Sequence, residues 1–364
     1  MARFLPEPAW THGTPPRIGV LLVNLGTPEA ATPQAVRTYL AEFLADPRVV
    51  EIPQALWWLI LHGIILRTRP AKSAEKYARI WTAQGSPLRL HTQNQAKMLA
   101  GYFAQAGVPD LQVEYAMRYG QPSVEQGLMN LKARHCAQVL VVPLYPQYAS
   151  STTGSVFDAV AQAGQRIRNL PEIRFVRGFH DHPAYIAALG QRLFAHWQTE
   201  GRPDKLVMSF HGVPKYTLDK GDPYFCECQK TARLLAEYLA LKPEDYQVTF
   251  QSRFGRTEWL KPYTEATLKA LAAQGVKTVD VVCPGFVSDC LETLEEIAIE
   301  GKATFLAAGG KSLRAVSCLN TQHDFIVALR TIVQTHIQDW LDRPKPDKDA
   351  LARSALRAGR MGGA

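Results

Sequence analysis

The amino-acid sequence predicts an α/β protein with two similar lobes, each built on a four-stranded parallel sheet flanked by helices. Eight runs of β-branched and apolar residues alternate with amphipathic stretches along the 364-residue chain, and this alternation is typical of parallel sheets covered by helices. Most of the runs are uniformly apolar, as expected of strands buried on both faces. The length exceeds the ~100 to 200 residues of one average domain, which agrees with two lobes.

The predicted strands are, in chain order, 18–24, 112–118, 138–144, 173–178, 206–210, 246–251, 278–283 and 313–317. The predicted helices are 91–106, 124–135, 183–199, 229–240, 263–274 and 321–340. The strands divide into two groups of four whose turns match. The first strand of each group ends in a Gly and Pro turn (23–28 and 208–214), and the third ends in a Pro turn (141–147 and 281–286). Because ligands bind beyond the carboxyl ends of parallel strands, we expect these turns to face one cleft.

This pattern divides the chain into four parts. Residues 1–16 form an N-terminal extension, and 17–182 form a first lobe enlarged by an insertion at about 33–91. Residues 183–341 form the second lobe, and 342–364 form a basic tail that we expect to be flexible.

The composition excludes several classes of protein. With 46% hydrophobic and 20% charged residues the chain is neither disordered nor fibrous. No apolar run reaches the ~20 residues that span a bilayer. Prolines near the N-terminus argue against a signal peptide, and six scattered cysteines argue against a disulfide framework. The net charge of +8 is divided between the tail and residues 67–79 without a nucleic-acid motif. We expect a cytoplasmic protein with reduced thiols.

His211 directly follows a predicted strand and precedes Gly-Val-Pro, which places its imidazole at the carboxyl end of that strand. It is either a cleft residue or a histidine that caps the turn. Downstream, Asp289 is a candidate N-cap, and Glu292, Glu296 and Glu300 follow at i, i+4 and i+8, on one face of a predicted helix. Such a row either faces solvent or handles cations and protons, and the sequence leaves both interpretations open.

Three further segments allow two interpretations each. Residues 150–153 place four hydroxyls at a helix start, which suits a bound anion or a well-capped helix. Residues 56–69 are apolar and lead into the basic cluster, so they form either a core helix or a hydrophobic lip for a large flat ligand or a bilayer surface. Cys226 and Cys228 are too close in sequence for a typical zinc knuckle. Neither a G-x-G-x-x-G nor a Walker motif is present, which argues against a nucleotide cofactor.

Taken together, these segments resemble the ferrochelatases over residues ~17 to 340. The matching blocks are NLGTPE at 24–29, FLADPRVVEIP at 43–53, GSPL at 85–88, MRYGQP at 117–122, LYPQYASSTTGS at 144–155, SFHGVP at 209–214, GDPY at 221–224, FQSRFG at 250–255, EWLKP at 258–262 and CPGFVSDCLETLEEI at 283–297. The resemblance implies a chelatase-like fold of two Rossmann-like lobes with a porphyrin cleft between them. It implies that the chain inserts ferrous iron into protoporphyrin IX to make protohaem, the final step of haem biosynthesis.

The resemblance also implies roles for particular residues. His211, Glu292 and Glu296 would be catalytic, with His211 and Glu292 as weak ligands of the incoming iron. The porphyrin pocket would be lined by four residues, namely Leu25, Arg67, Arg118 and Tyr119. Many members carry a histidine where this chain has Cys290, while Asp289 and Glu292 match.

The resemblance bears on cofactors and partners as well. Members with a [2Fe–2S] cluster have a cysteine where this chain has Ser150 and more cysteines near the C-terminus, whereas Cys318 is the last one here. We therefore expect no cluster and no tightly bound cofactor, with ferrous iron as a substrate. The expected partners are protoporphyrin IX and ferrous iron, and we expect no nucleic acid. We expect a monomer, and peripheral contact with the inner face of a membrane is left open. The alternatives are a chelatase for another pair, such as coproporphyrin with iron or sirohydrochlorin with cobalt, or a two-lobed haem- or metal-binding protein without activity.

Overall fold

The computed structural model describes residues 4–255, 257–344 and 347–361. Within them the chain forms two parallel sheets of four strands each, ordered β2-β1-β3-β4 and β6-β5-β7-β8. The strands are β1 (Arg17–Gly26), β2 (Gln112–Tyr119), β3 (Cys136–Pro143), β4 (Glu172–Phe175), β5 (Lys205–His211), β6 (Tyr246–Gln251), β7 (Thr278–Val282) and β8 (Ser312–Ala315). All the predicted strands are present, and the two sheets share one topology, so the predicted fold class is confirmed.

Helices cover both sheets, and each predicted helix is found with ends shifted by a few residues. The α-helices are α1 (Pro33–Ala45), α2 (Gln54–Ile60), α3 (Leu66–Ile80), α4 (Pro87–Gln105), α5 (Val124–Ala133), α6 (Ser155–Gly164), α7 (Pro183–Glu200), α8 (Lys215–Asp219), α9 (Tyr224–Tyr238), α10 (Thr264–Ala273), α11 (Lys302–Ala307), α12 (His323–Leu341) and α13 (Lys348–Arg360). Two short π-helical turns, 61–65 and 150–154, and one longer π-helix, Glu292–Gly301, interrupt them. We call the last of these the π-helix.

The insertion in the first lobe consists of α1, α2 and α3. It ends near residue 86, slightly earlier than predicted, because α4 begins at Pro87, where the fixed φ of proline suits a first helical turn. Val36 and Tyr77 form a small core of the insertion, and Leu291 and Leu294 from the second lobe pack against it. The insertion therefore reaches across to the other lobe.

Two long helices are exchanged between the lobes. Helix α7 follows the first sheet but packs on the second lobe, where Trp197 Nε1 donates to Asp280 of β7 at 2.9 Å. Helix α12 follows the second sheet, in the range we assigned to the second lobe, yet Trp340 Nε1 donates to Glu172 of β4 at 3.1 Å. Each lobe is thus covered by a helix that adjoins the other lobe in sequence.

The tail contains a helix, α13, in the range where sequence alone suggested a flexible segment. Its Leu351 and Ala355 lie against Gly13 of the N-terminal extension, where an added Cβ would come within 3.0 Å of the Ala355 Cβ. Residues 345, 346 and 362–364 of the predicted tail lie outside the described residues. Among the helices described, none combines the length and apolar character needed to cross a bilayer.

The turn after β1 requires glycine at position 26. Gly26 has a φ of +115°, and a Cβ there would lie 1.8 Å from the carbonyl oxygen of Tyr119. Gly85 has a similar φ of +110°, but no atom of the described residues lies within 4 Å of the place where its Cβ would stand.

We expect Gly26→Ala to lower the free energy of unfolding by more than about 3 kcal/mol. Gly85→Ala should lower it by about 1 kcal/mol, because alanine there is disfavoured only by the positive φ and not by a steric clash. Urea unfolding of both variants measures the difference, and equal losses would contradict the steric argument.

Candidate active site

The carboxyl ends of the two sheets meet, as the sequence predicted. Gln147, in the turn after β3, donates to the carbonyl of Pro284 at 3.4 Å and to Thr231 Oγ1 at 2.9 Å. The hydroxyl of Tyr185 donates to the same Pro284 carbonyl. The third turns of the two lobes are therefore in direct contact.

His211 is the last residue of β5 and is half-buried at this end of the sheet. Its Nδ1 lies 2.6 Å from the carbonyl oxygen of Gly212, and Tyr224 donates its hydroxyl to the His211 carbonyl at 2.9 Å. A carbonyl can only accept, so Nδ1 carries the hydrogen and the neutral ring leaves a lone pair on Nε2. Gly212 permits this turn, because a Cβ there would lie 2.6 Å from the Gln251 carbonyl. The imidazole is held ready to accept a proton or bind a cation.

The π-helix replaces the α-helix that the sequence predicted after β7. In a π-helix, residues i and i+5 are neighbours instead of i and i+4. Glu295 and Glu300 accordingly share one partner, since Lys76 Nζ of α3 lies 3.1 Å from Glu295 and 2.8 Å from Glu300. Arg79 adds a contact of 3.2 Å to Glu295. The insertion is therefore bound to the π-helix by ion pairs.

The predicted row of three glutamates is corrected by this spacing. Glu300 belongs with Glu295 at the insertion, whereas Glu296 faces the strand ends. Its carboxylate accepts from the Ser252 N–H at 2.6 Å and from the Ser252 hydroxyl at 2.5 Å. Gln251, paired with His211 in the sheet, donates to the Glu292 carbonyl at 2.9 Å. The Glu296 carboxylate and the Glu292 backbone carbonyl thus lie on the side of the π-helix that adjoins β6, the neighbour of the His211 strand.

Phenol and thiol groups lie near Glu292, and its negative charge contributes to their raised pKa values. Burial, and after it the negative charge of Glu292, raise the pKa of Tyr77 and of Cys290 well above their ordinary values. Burial is also the main cause of the raised pKa of Tyr39 and of Tyr145, with a smaller contribution from Glu292. These groups are neutral at physiological pH, so they can donate hydrogen bonds toward a carboxylate or a ligand. No motif marked Tyr39 and Tyr77 in the sequence, because amphipathic helices contain such residues for packing alone.

Asp46 connects three side chains of the first lobe through hydrogen bonds. It accepts from Arg118 Nη2 at 2.7 Å, from the Tyr119 hydroxyl at 2.8 Å and from Ser155 Oγ at 2.5 Å. Tyr119 is completely buried and Arg118 mostly so. The Tyr119 ring is buried against this network, and its contact with the substrate stays a prediction.

The other predicted pocket residues reach the surface. Leu25 is half-buried at the end of β1, and Arg67 is exposed on α3. Beside Arg67, the guanidinium of Arg69 lies 3.8 Å from the ring centroid of Phe254 in the second lobe. Leu25 and Arg67 stay predictions for substrate contact, and the Arg69–Phe254 pair links the two sides of the molecule.

The apolar segment of the insertion has a surface part and a buried part, since Leu61 and Leu66 are buried whereas α2 before them is not. Helix α2 has no buried residue. The two tryptophans differ, since Trp57 Nε1 donates to the Leu44 carbonyl at 2.6 Å, whereas Trp58 is 58% exposed. The exposed apolar side chains, which we call the lip, are Leu56, Trp58, Leu59 and Ile64.

Ser150 in the hydroxyl-rich loop at 150–153 is hydrogen-bonded to charged side chains of the protein. The Ser150 N–H donates to Asp222 at 2.7 Å, and Arg48, which is paired with Asp158, donates to Ser150 Oγ at 3.0 Å. Asp222 therefore stands where a bound anion would accept from Ser150, and among the described residues no side-chain hydrogen bond caps the π-helical turn or α6.

Comparisons with known proteins agree with this geometry. The family model described as Ferrochelatase matches residues 17–337. The protein named Ferrochelatase from Aromatoleum aromaticum is 62% identical over 98% of each chain, and that from Methylibium petroleiphilum is 59% identical over 99% of each. A solved sirohydrochlorin chelatase, SirB from Bacillus subtilis subspecies spizizenii in complex with cobalt, is 13% identical with a TM-score of 0.51 over 91% of this chain and 100% of that one. The last likeness concerns the fold alone.

The Asp46 network gives the fold a specific pH dependence. Burial alone raises the pKa of Asp46, but hydrogen bonds from Ser155, the Arg48 N–H and Tyr119 outweigh it and hold the pKa below its ordinary value. A lowered carboxyl pKa stabilises the fold above the unfolded value of ~3.9, and this stabilisation is lost as the pH falls through the folded pKa. We expect Asp46→Asn to lower the free energy of unfolding by about 3 kcal/mol at pH 7 and by much less at pH 3.

Urea titrations between pH 3 and pH 7 measure this difference. Asp219→Asn, at an exposed carboxylate, is the matched control and should leave the unfolding free energy nearly unchanged at every pH. A loss in Asp46→Asn that is the same at both ends of the range would contradict the assignment.

Proposed function

Because the chain belongs to the ferrochelatase family, the porphyrin metal chelatases of haem biosynthesis, we propose that its substrates are ferrous iron and protoporphyrin IX and its product protohaem. The observation that carries the proposal is that Gln251, the sheet partner of His211, donates to the Glu292 carbonyl, so the first turn of the π-helix lies beside the strand ends of the second sheet. Insertion of a divalent ion into the ring releases two pyrrole protons, so the site needs proton acceptors beside a place for the metal.

His211 is the first proton acceptor in this proposal. Its Nδ1–H is held by the Gly212 carbonyl, which turns the Nε2 lone pair outward. A neutral imidazole can take a pyrrole proton near neutral pH or bind the incoming ion through the same nitrogen, but not both at once. One pyrrole proton therefore passes to His211, and the other needs a carboxylate.

Glu292 is the second acceptor and a weak ligand of iron, and Glu296 continues the path away from the ring. Burial, and after it the charge of Glu292, raise the pKa of Tyr77 and of Cys290, so these neighbours of Glu292 are neutral and supply no cation that would compete with iron. Among the described residues, no group of three or more His, Cys, Asp and Glu side chains is arranged to hold a metal. An incomplete ligand set suits a metal that must leave with the product, because four good ligands would retain it.

The lip supports protoporphyrin as the substrate. Its four exposed apolar side chains offer a surface to a macrocycle with two propionates, whereas coproporphyrin has four carboxylates to keep solvated. The exposed Arg67 stands beside the lip, where it can meet a propionate. The same apolar and basic surface suits peripheral contact with anionic lipid, and we propose that the protein docks there on the inner face of a membrane.

We further propose that the protein works as a monomer without an iron–sulfur cluster. Both walls of the cleft come from one chain, so a second copy is not needed to complete the site. Ser150 stands where cluster-containing members have a cysteine, and it is bonded to Arg48. Five of the six cysteines are buried and only Cys226 is exposed.

Removal of either proton acceptor should stop the reaction without affecting the fold. We expect His211→Ala and Glu292→Gln each to lower kcat for ferrous iron insertion by about 100-fold or more, since general acid–base groups contribute about that much. Porphyrin affinity, measured by fluorescence quenching, should change by less than about threefold. Glu296→Gln should have a smaller effect, because it lies farther from the ring.

The controls are His12→Ala and Glu265→Gln, which remove an exposed histidine and an exposed glutamate elsewhere. Anaerobic assays with iron, cobalt and zinc against protoporphyrin, coproporphyrin and sirohydrochlorin define the substrate. Folded His211→Ala protein with near wild-type activity would remove the histidine from the mechanism, and a preference for sirohydrochlorin would replace the proposed substrate.

Trp58→Ser tests the lip. We expect the variant to bind protoporphyrin and anionic phospholipid vesicles several-fold more weakly, while the free energy of unfolding changes by less than about 0.5 kcal/mol, because Trp58 is 58% exposed. Trp10→Ser, at a tryptophan that is 45% exposed in the N-terminal extension, is the matched control and should leave both affinities unchanged. Unchanged affinities in Trp58→Ser, with a loss of stability near the ~3 kcal/mol of a core tryptophan, would contradict this assignment.

A further inference from the structure

Ser252 holds the Glu296 carboxylate from two directions. It is the first residue after β6, and its N–H and hydroxyl donate to different oxygens of Glu296, at 2.6 Å to Oε1 and 2.5 Å to Oε2. A carboxylate bonded through both oxygens by one residue can neither rotate about its last torsion nor swing away from the strand end. The two donors fix its position and its plane.

The backbone of Ser252 adopts a conformation that residues other than glycine rarely use. Its φ is +62°, in the left-handed region. For a residue with a Cβ this region costs about 1 kcal/mol or more, and such outliers concentrate at functional sites. The conformation points the N–H and the side chain toward the same neighbour, so the energetic cost has an identifiable geometric result.

Gln251 connects this contact with the strand that carries His211. It is buried and paired with His211 in the sheet. Its amide nitrogen donates to the Glu292 carbonyl at 2.9 Å and lies 3.4 Å from Glu296 Oε2, while its oxygen accepts from Ser209 at 2.7 Å. The start of the π-helix is thereby set relative to the imidazole by a continuous series of hydrogen bonds.

Glu296 and its neighbour in sequence, Glu295, differ in the charge of their bonding partners. Glu295 is paired with two cations, Lys76 and Arg79. The three hydrogen bonds that we describe to Glu296 all come from neutral groups. Neutral donors orient a carboxylate without cancelling its charge, and Oε1, which accepts from Ser252 N–H alone among these bonds, retains a lone pair for another partner. Glu296 is therefore oriented and still able to receive a proton or a hydrated cation.

We propose that Ser252 is a positioning residue for iron insertion, acting through Glu296, with Gln251 fixing both to the His211 strand. The inference rests on the proposed function, in which Glu296 continues the path for protons from Glu292. Ser252 touches neither substrate. Its contribution is to keep the Glu296 oxygens in line with that path, as residues behind a metal ligand commonly do.

Ser252→Gly is the most direct test. Glycine removes the hydroxyl donor, keeps the N–H and accepts the positive φ without strain. We expect kcat to fall about tenfold, in keeping with the loss of one hydrogen bond to a charged group, while KM for protoporphyrin is unchanged within about twofold. Ser252→Asn should recover most of the rate, because asparagine tolerates this φ and its amide can donate to Glu296.

Ala240→Gly is the matched control. Ala240 has a φ of +52° at the end of α9, outside the cleft, so its replacement relaxes the backbone in the same way without touching Glu296. We expect wild-type kcat for this variant and, for both glycine variants, a melting temperature at or above that of the wild type. A rate loss in Ala240→Gly equal to that in Ser252→Gly would assign the effect to backbone strain and overturn the proposal.

A double-mutant cycle with Glu296→Gln separates the two levels of the argument. If Ser252 acts through Glu296, Ser252→Gly has no further effect in the Glu296→Gln background, since effects on one shared step are not additive. Multiplied losses, or wild-type kcat in Ser252→Gly while Glu296→Gln is slow, would overturn the positioning role alone. Wild-type kcat in Glu296→Gln would remove Glu296 from the path and the inference with it, leaving the roles of His211 and Glu292 to their own variants.

Discussion

The shared apolar core between the two sheets is the constraint on which the rest of the structure depends. One continuous cluster contains Val20 and Leu22 of β1 together with Met208 and Phe210 of β5. Burial of each such side chain contributes about 1.5 to 3 kcal/mol, so separating the lobes would expose a large part of the stabilising surface. Because the core holds the lobes in one orientation, side chains at their strand ends have defined positions across the cleft.

The glutamates of the π-helix have two kinds of bonding partner, charged and neutral, and each kind suits a different role. Where the protein needs attachment, it uses ion pairs, as between Lys76 and the π-helix. Where the chemistry needs an available charge, it uses neutral donors, as Ser252 does for Glu296. The π-helical spacing makes this separation possible, because it places Glu300 beside Glu295 and not beside Glu296. An α-helix with the same residues would have placed Glu292, Glu296 and Glu300 in one row.

Most of the fold could be predicted from the sequence, because apolar runs and amphipathic periods report burial directly. The position of His211 at the end of β5 could be predicted for a related reason, since the end of a parallel strand is a defined place. The π-helix could not, because an i, i+4 pattern of glutamates is compatible with either helix. The same limit applies to Tyr119, whose motif does not show that its hydroxyl is bonded to Asp46. Ser252 escaped notice because a positive φ at serine leaves no trace in the sequence.

The exchange of α7 and α12 has a consequence for how the protein is made. The first sheet is complete when residue 175 has been synthesised, but the helix that closes one of its faces is α12, which ends at Leu341. A ribosome-bound first lobe must therefore keep apolar surface uncovered when more than half of the chain is still to be synthesised. Its closure joins residues far apart in sequence, which is a slow kind of contact to form. The two lobes therefore complete their folding together at the end of synthesis. Until then the exposed apolar surface makes the first lobe prone to aggregation, which is the state that chaperones act on.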